Sequence, residues 1–316
     1  MEDEKMMNSR KRNLIIICFL LFSLTSTLYS EEKELDEKCK NYIRDFFANV
    51  ADYKVEKINI LEENKFKGEF LTSQIPSGEY IPLLLDNKYY VWIDRECKGV
   101  YYFEITNLLD LMNTIKDNDV KNDKLLSEAK ASEKIENLIK SGDFLIKSPY
   151  KISSEYKVIR LDRVCSYEFI FKSSLKNVPC RSKHVLRIWV SMENGEIIRY
   201  INIPPSLPSN HINPEIKIDN TKIINIVKKW CENDPYFSRY SVKMNEDINP
   251  KLVIAPSINF FLIRGPKNLS NNNSKFFYAW EVPLIWGGYK ENHGVIWVDV
   301  ESEQVIGAGP YELDEW

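Results

Sequence analysis

The chain has 316 residues, of which 44% are hydrophobic and 12% are aromatic. This length predicts two or three structural units, and the apolar fraction excludes a globally disordered chain. The net charge is -3, with 43 Lys and Arg residues against 46 Asp and Glu residues. The overall charge therefore does not support a nucleic-acid-binding surface.

The N-terminus has the pattern of a secretory signal peptide. Three basic residues at positions 10–12 precede an apolar run at residues 14–24, and a short polar stretch follows. Such a segment is typically removed on export. We therefore expect residues 1–30 to be a cleaved signal peptide, and the mature protein to be periplasmic, cell-surface or secreted without firm membrane insertion. An uncleaved anchor is the alternative, although the apolar run is shorter than the roughly twenty residues that span a membrane.

Five cysteines remain after residue 30: Cys39, Cys97, Cys165, Cys180 and Cys231. Export permits disulfides, but an odd number leaves at least one thiol unpaired in a monomer. Proximity in sequence favours a bridge between Cys165 and Cys180. No CxxC motif or Cys/His cluster is present, so no metal and no other cofactor is predicted.

Three short sequences centred on Trp92, Trp189 and Trp297 resemble one another. Each places the tryptophan between two β-branched residues, followed by a polar turn and a second apolar run, which is typical of a β-hairpin. A helical spacing of apolar residues and further strand-like runs come before each hairpin. The predicted fold class is therefore α+β, with three tandem units that each pack one helix on an antiparallel β-sheet.

Two connectors divide these units in the sequence. Residues 116–124 are charged and poor in apolar side chains, and residues 203–215 contain four prolines, which favour an extended segment. Unit one is placed at residues 31–116, unit two at 125–203 and unit three at 217–316. Ser132 is predicted to cap the helix of unit two and Gly142 to end it, while Asp219 or Asn220 caps the helix of unit three.

The hairpin sequence also resembles a known family. The stretches IWVSMENGEII, IWVDVESEQVI and VWIDRECKGVY follow the form V-x-V-D/S-x-x-x-G-x-V/I, although the second of them lacks the glycine. This form resembles the closing hairpin of the PepSY-type domain of exported bacterial proteins, and units two and three carry the resemblance. The resemblance implies restraint of secreted peptidases or ligand binding on the envelope side of the membrane.

No sequence pattern of a known catalytic centre is present. The chain has no HExxH, GxSxG, Walker or Rossmann glycine motif, and its three histidines are isolated in sequence. Glu69, Glu168 and Glu281 recur at comparable places, which fits a structural position better than acid–base catalysis. Asp94 and Asp299 follow the hairpin strands and are predicted to stabilise the turns through side-chain hydrogen bonds.

Residues 286–289 form the candidate recognition loop. Gly287 and Gly288 free the backbone, while Trp286 and Tyr289 offer large rigid contact surfaces. A long hairpin connection is the alternative interpretation. The predicted function is noncatalytic binding or inhibition of a protein or peptide partner, such as a secreted peptidase or an envelope component. A structural envelope component is the first alternative, and an exported hydrolase is a weaker one.

Overall fold

The computed structural model describes residues 35–62, 80–108, 125–142, 144–181, 186–210, 220–239, 241–245, 249–256, 275–285 and 292–310. The predicted signal peptide, the charged connector at 116–124 and the candidate loop at 286–289 lie outside these described residues. None of the helices in the described ranges combines the length and the apolar character that crossing a membrane requires.

The described residues contain four α-helices: α1 (Glu37–Val50), α2 (Glu128–Ser141), α3 (Asn220–Asn233) and α4 (Pro235–Arg239). The three longer helices lie where the apolar spacing predicted them. Helix α2 begins about one turn earlier than expected, because Ser127 and not Ser132 is its N-cap and accepts a hydrogen bond from the Lys130 N–H at 3.4 Å. Gly142 ends α2 as predicted, in the left-handed conformation with a φ of 65°.

The described residues also contain fourteen strands, which are β1 (Ile58–Ile60), β2 (Tyr80–Leu85), β3 (Tyr89–Asp94), β4 (Val100–Ile105), β5 (Lys151–Leu161), β6 (Ser166–Leu175), β7 (Val178–Cys180), β8 (Leu186–Ser191), β9 (Ile197–Ile201), β10 (Lys243–Met244), β11 (Lys251–Pro256), β12 (Phe276–Ile285), β13 (Asn292–Asp299) and β14 (Val305–Pro310). They form one mixed sheet in the order β1-β2-β3-β4-β9-β8-β6-β7-β11-β12-β13-β14. Off this path, β5 pairs with β6 and β10 pairs with β12.

The prediction of three separate helix-on-sheet units is wrong, because their strands join into this single sheet. Strand β4 of the first predicted unit pairs antiparallel with β9 of the second, with Tyr102 opposite Ile201. Strands β7 and β11 join the second and third predicted units through the parallel pair Cys180 and Ile254. Separate units would leave the backbone N–H and C=O groups at these strand edges unpaired, and the continuous sheet satisfies them.

Helix α1 packs across the boundary between the first two predicted units. Its Phe47 lies 5.1 Å from the ring of Tyr89 and 4.9 Å from that of Phe103. Its Phe46 lies 5.6 Å from the ring of Tyr200 on β9. All of these rings are buried, and aromatic pairs of this kind contribute about 0.5–1.5 kcal/mol each beyond the burial of their area. The helix thus belongs to a core that both predicted units share.

The three predicted hairpins have a common local structure. Trp92, Trp189 and Trp297 lie on β3, β8 and β13, and all three are buried. In each hairpin the strand register shifts directly after the tryptophan, which marks a β-bulge. Each of the three strands that carry a tryptophan is paired on both sides, so none of these tryptophans lies on an edge strand.

The turns that follow Asp94 and Asp299 are held by their side chains, as predicted. Asp94 accepts hydrogen bonds from the backbone N–H groups of Glu96 and Lys98, each at 2.8 Å. Asp299 accepts bonds at 2.7 and 2.8 Å from the two N–H groups at positions 301 and 302. These bonds satisfy donors that the tight turn leaves without a strand partner.

Two of the recurring glutamates bind the tryptophan on the neighbouring strand. Glu168 accepts a hydrogen bond from the Trp189 indole N–H at 2.7 Å, and Glu281 accepts one from the Trp297 indole N–H at 2.9 Å. Both carboxylates are buried, and each also pairs with an arginine. The structural interpretation of these two glutamates is therefore confirmed, while Glu69 lies outside the described residues.

A row of charged and aromatic side chains crosses the sheet on the face opposite α1. Glu104, Arg199, Trp189 and Glu168 lie opposite one another on β4, β9, β8 and β6. The Arg199 Nε is 3.6 Å from a Glu104 carboxylate oxygen, and its guanidinium carbon is 4.8 Å from the centre of the Trp189 ring. Glu168 pairs in turn with Arg187. Because the charges of the row balance, we assign it a structural role.

A disulfide joins Cys39 of α1 to Cys97 in the β3–β4 turn, with the two Cα atoms 5.3 Å apart. The predicted bridge between Cys165 and Cys180 is wrong, because neither cysteine forms a disulfide within the described residues. Cys165 directly precedes β6, whereas Cys180 lies opposite Ser173, so roughly 26 Å of extended strand separates them. Proximity in sequence is therefore misleading here, since β6 carries the chain away from Cys165.

Candidate functional site

A groove of about 570 Å³ lies between α1 and α2. Five residues of α1, four residues of α2 and Phe144 line it. On α1 the lining residues Tyr42, Phe46 and Asn49 recur every three or four positions, which places them on one face of the helix. Phe46 is buried at the bottom of the groove, whereas Asn49 and Asn137 are exposed at its rim. The groove thus combines an aromatic floor with polar edges.

Tyr200 supports this floor from the sheet. Its ring stacks on Phe103 at 5.5 Å and lies 6.1 Å from Phe144. The Tyr200 hydroxyl accepts a hydrogen bond from the Asn202 side-chain amide at 2.8 Å and donates one to the Phe144 carbonyl at 3.4 Å. Burial raises the pKa of Tyr200, so the phenol stays neutral. The floor is therefore a fixed, uncharged surface.

A cluster of charged side chains from two turns lies next to Lys134 of the groove. Lys134, which lines the groove, donates a hydrogen bond to the Gly195 carbonyl at 2.7 Å. The adjacent Glu196 accepts bonds from the Lys88 ammonium at 2.5 Å and from the Tyr89 hydroxyl. Burial by itself raises the pKa of Glu196, but the hydrogen bonds from Lys88 and Tyr89 outweigh burial and lower the pKa below its usual value. Glu196 is therefore a fixed carboxylate that is already paired, and it does not line the groove.

The groove adjoins a second lobe of about 760 Å³. Tyr42 lines both spaces, so the two lobes meet at this side chain. The second lobe is bounded by the turn that carries Cys97, by Tyr101 and by residues 145–147. Burial and the nearby Asp94 carboxylate raise the pKa of Tyr42 to about 12, so its hydroxyl remains a hydrogen-bond donor at neutral pH.

A close contact at Gly99 shapes the second lobe. A Cβ atom at this position would lie 2.6 Å from the Ile146 Cγ1 and 3.2 Å from the Asp94 Oδ2. The absence of a side chain therefore allows the segment after α2 to pack directly on the β3–β4 hairpin. Larger residues at this position would move Ile146 and the wall of the lobe that it forms.

We expect Gly99→Ala to lower the free energy of unfolding by about 1–3 kcal/mol, because the added methyl group overpacks this contact. Urea unfolding of the variant and the wild type measures the change. Adding Ile146→Ala to Gly99→Ala removes the clashing atoms, so the double variant should lose less than the sum of the two single losses. Strictly additive losses would show that the contact at Gly99 is not the cause.

The groove offers chemistry suited to binding. It presents aromatic surface, exposed amides and separated charges, which are the groups that orient a bound ligand. Within the described ranges, no group of three or more His, Cys, Asp or Glu residues could hold a metal ion. The side chains of His184, His211 and His293 lie outside the part of the chain whose side chains are described, so the hydrolase alternative stays a prediction.

Sequence reasoning did not find this groove. The predicted site residues Trp286, Gly287, Gly288 and Tyr289 lie outside the described residues, between the ends of the paired strands β12 and β13. Their role stays a prediction. The apolar spacing before the first hairpin predicts the helix that carries Tyr42, but nothing in the sequence indicates that α1 and α2 lie side by side.

Comparison with known proteins does not identify the chain. No protein family matches it, and no curated protein matches it. Among solved structures, the Bacillus megaterium YpeB C-terminal domain is similar, with 16% sequence identity and a TM-score of 0.42 over 88% of this chain and 98% of that chain. Similarity at this level does not transfer the properties of that protein, so the functional conclusion rests on the groove.

Proposed function

We propose that this chain is an exported, noncatalytic binding protein whose groove between α1 and α2 takes an extended peptide segment of a partner protein. The observation that carries the proposal is the aromatic floor between two polar helix rims. An extended segment can place apolar side chains on Tyr42 and Leu138, which line the groove and are only partly buried. Its backbone groups can meet the amides of Asn49 and Asn137. Peptide recognition commonly combines an apolar groove with a few well-placed polar groups.

The resemblance of the hairpins to PepSY-type domains suggests the class of partner. That family is associated with restraint of secreted peptidases and with binding on the envelope side of the membrane. A peptidase loop held in the groove would be kept from its own substrates, which makes inhibition the specific form of the proposal. An envelope protein with a similar exposed segment is the alternative partner.

Export is supported by the disulfide between Cys39 and Cys97. Disulfides persist in oxidising compartments and are rare in the reducing cytosol. The signal-peptide pattern of residues 1–30 supports the same conclusion from the sequence. The partner is therefore sought outside the cytosol.

A matched pair of arginine substitutions on α1 tests the groove. Asn49 lines the groove, whereas the adjacent Ala48 does not, and both are exposed near the C-terminal end of the helix. Arginine is compatible with the helix dipole at either position. We expect Asn49→Arg to fill the groove and to reduce partner recovery about tenfold, the loss of one anchoring contact. Ala48→Arg should leave recovery unchanged. Crosslinking the mature protein in its own compartment, followed by quantitative mass spectrometry, measures both.

The candidate loop at 286–289 provides the competing surface in the same experiment. Replacing Trp286 and Tyr289 together with alanine should weaken binding by more than about 2 kcal/mol if these aromatics anchor the partner. If this variant loses the partner while Asn49→Arg still recovers it fully, recognition takes place at the loop and the proposed role of the groove is wrong. Equal recovery with every variant would exclude both surfaces.

A further inference from the structure

The acidic side chains of the second lobe are already engaged. Asp94 accepts the backbone N–H groups of Glu96 and Lys98, each at 2.8 Å. The Glu96 carboxylate pairs with the Lys98 ammonium. Both carboxylates keep their negative charge, but neither forms an ion pair with the remaining basic residues of the lobe, Arg95 and Lys147.

Arg95 and Lys147 leave the lobe with a net charge of +1, because Lys98 is paired with Glu96 and Asp94 offsets one of the two. Both side chains are exposed and line the lobe, Arg95 from the β3–β4 turn and Lys147 from the segment after α2. With respect to the described residues, neither makes an ion pair or a hydrogen bond. Exposed cations that lack a counter-ion attract anions over roughly the Debye length of 10 Å at 0.1 M salt.

The apolar part of the lobe restricts which anion fits best. Tyr42, Tyr101, Leu145 and Ile146 also line the lobe, so a ligand there meets aliphatic and aromatic surface beside the two cations. A small inorganic anion would use only the cations. A carboxylate carried on a polypeptide with neighbouring apolar side chains would use both features.

We infer that the second lobe binds an acidic stretch of the same partner segment whose apolar part occupies the groove between α1 and α2. The inference rests on the proposed function, because one extended segment has to pass Tyr42 from the first lobe to the second. The recognised chemistry is a carboxylate flanked by apolar residues, held by Arg95 and Lys147. Charge complementarity of this kind sets partner choice more than it sets total affinity.

Paired peptides test the charge preference directly. A library of end-blocked eight-residue peptides is made in pairs that differ only in glutamate against the isosteric glutamine, and the binding of the mature protein is measured by fluorescence anisotropy. In the pairs that bind, the glutamate peptide should bind about tenfold more tightly, as two exposed charge contacts allow. The preference should decrease at high salt.

The variant Arg95→Gln with Lys147→Gln should reduce the preference to about one. Both residues are exposed, so we expect the fold to tolerate the change, and urea unfolding of the variant tests this. Lys140→Gln with Lys151→Gln removes the same net charge from exposed positions that do not line the lobe, and it should keep the preference. If the peptides bind, if Asn49→Arg abolishes this binding, and if glutamate peptides bind no more tightly than glutamine peptides, only the inference about the second lobe is wrong. If no peptide pair binds, the proposed function is wrong as well.

Discussion

Replacing Glu281 with alanine should lower the free energy of unfolding by about 3–5 kcal/mol, the cost of breaking a buried ion pair from one side. Arg181 donates to the Glu281 carboxylate through Nε at 2.8 Å and through Nη2 at 2.5 Å, and the Trp297 indole donates to it at 2.9 Å. The arginine side chain is 10% exposed and the glutamate 3%. The variant would therefore leave a guanidinium group with little water to replace its bidentate partner. Urea unfolding measures the change.

Two further substitutions separate the causes of this loss. Glu281→Gln keeps an acceptor for the Trp297 indole but removes the charge, so we expect a smaller loss than with alanine. Glu96→Ala breaks the ion pair with Lys98, whose partners are 71% and 74% exposed, and it should have no measurable effect. If Glu281→Ala is as mild as Glu96→Ala, the buried pair does not stabilise the fold.

Replacing both Cys39 and Cys97 with alanine should cost about 4 kcal/mol, because the bridge closes a long loop in the unfolded chain. The two cysteines are 58 residues apart in sequence, and closing a loop of this length removes much of the entropy of the unfolded state. The bridge also holds α1 on the β3–β4 hairpin, which carries one wall of the second lobe. Urea unfolding under oxidising conditions measures the loss.

A reducing agent provides the control for this prediction. Reduction should destabilise the wild type by about the same amount and should leave the double variant unchanged, because Cys165, Cys180 and Cys231 form no disulfide within the described residues. Wild-type stability that does not respond to a reducing agent would contradict a stabilising bridge between Cys39 and Cys97. A further loss in the reduced double variant would point to a different disulfide.

The helices could be predicted because their signals are local. Apolar residues at helical spacing indicated α1, α2 and α3, and Gly142 marked the end of α2. The start of α2 was misplaced by about one turn, since both Ser127 and Ser132 are suitable caps and only the structure shows which one bonds to the helix. Choosing between two nearby serines depends on how the preceding chain enters the helix.

The hairpins were predictable for the same reason. The sequence Asn194-Gly195 indicated the turn between β8 and β9, and Gly195 adopts the positive φ of 72° that this turn requires. Asp94 and Asp299 bond to the backbone within a few residues of themselves. Interactions of this range depend on the order of neighbouring residues, so the sequence contains the information directly.

Strand partners, the disulfide and the groove could not be predicted, because each joins residues distant in sequence. The same alternation of apolar residues fits three small separate sheets and one continuous sheet equally well. The pairing of β4 with β9 is made by backbone groups, so it does not appear in the pattern of side chains. The packing of α1 brings Cys39 to Cys97 across 58 residues. Cys165 and Cys180 are closer in sequence, but Cys165 directly precedes β6 and Cys180 lies on β7 opposite Ser173, near the other end of β6.

By itself, the sequence determined the helices, the tryptophan hairpins, their side-chain-bonded turns and the export pattern of the N-terminus. Apolar spacing, helix caps and turn residues act over a few positions, so these features can be recognised in the sequence without knowledge of the fold. Only the tertiary structure decided that the strands form one sheet and that α1 lies beside α2 with Tyr42 between two lobes. These arrangements depend on contacts between residues that are far apart in sequence, such as the packing of Phe46, Phe103 and Tyr200 and the pairing of strand edges. No single stretch of sequence encodes such contacts.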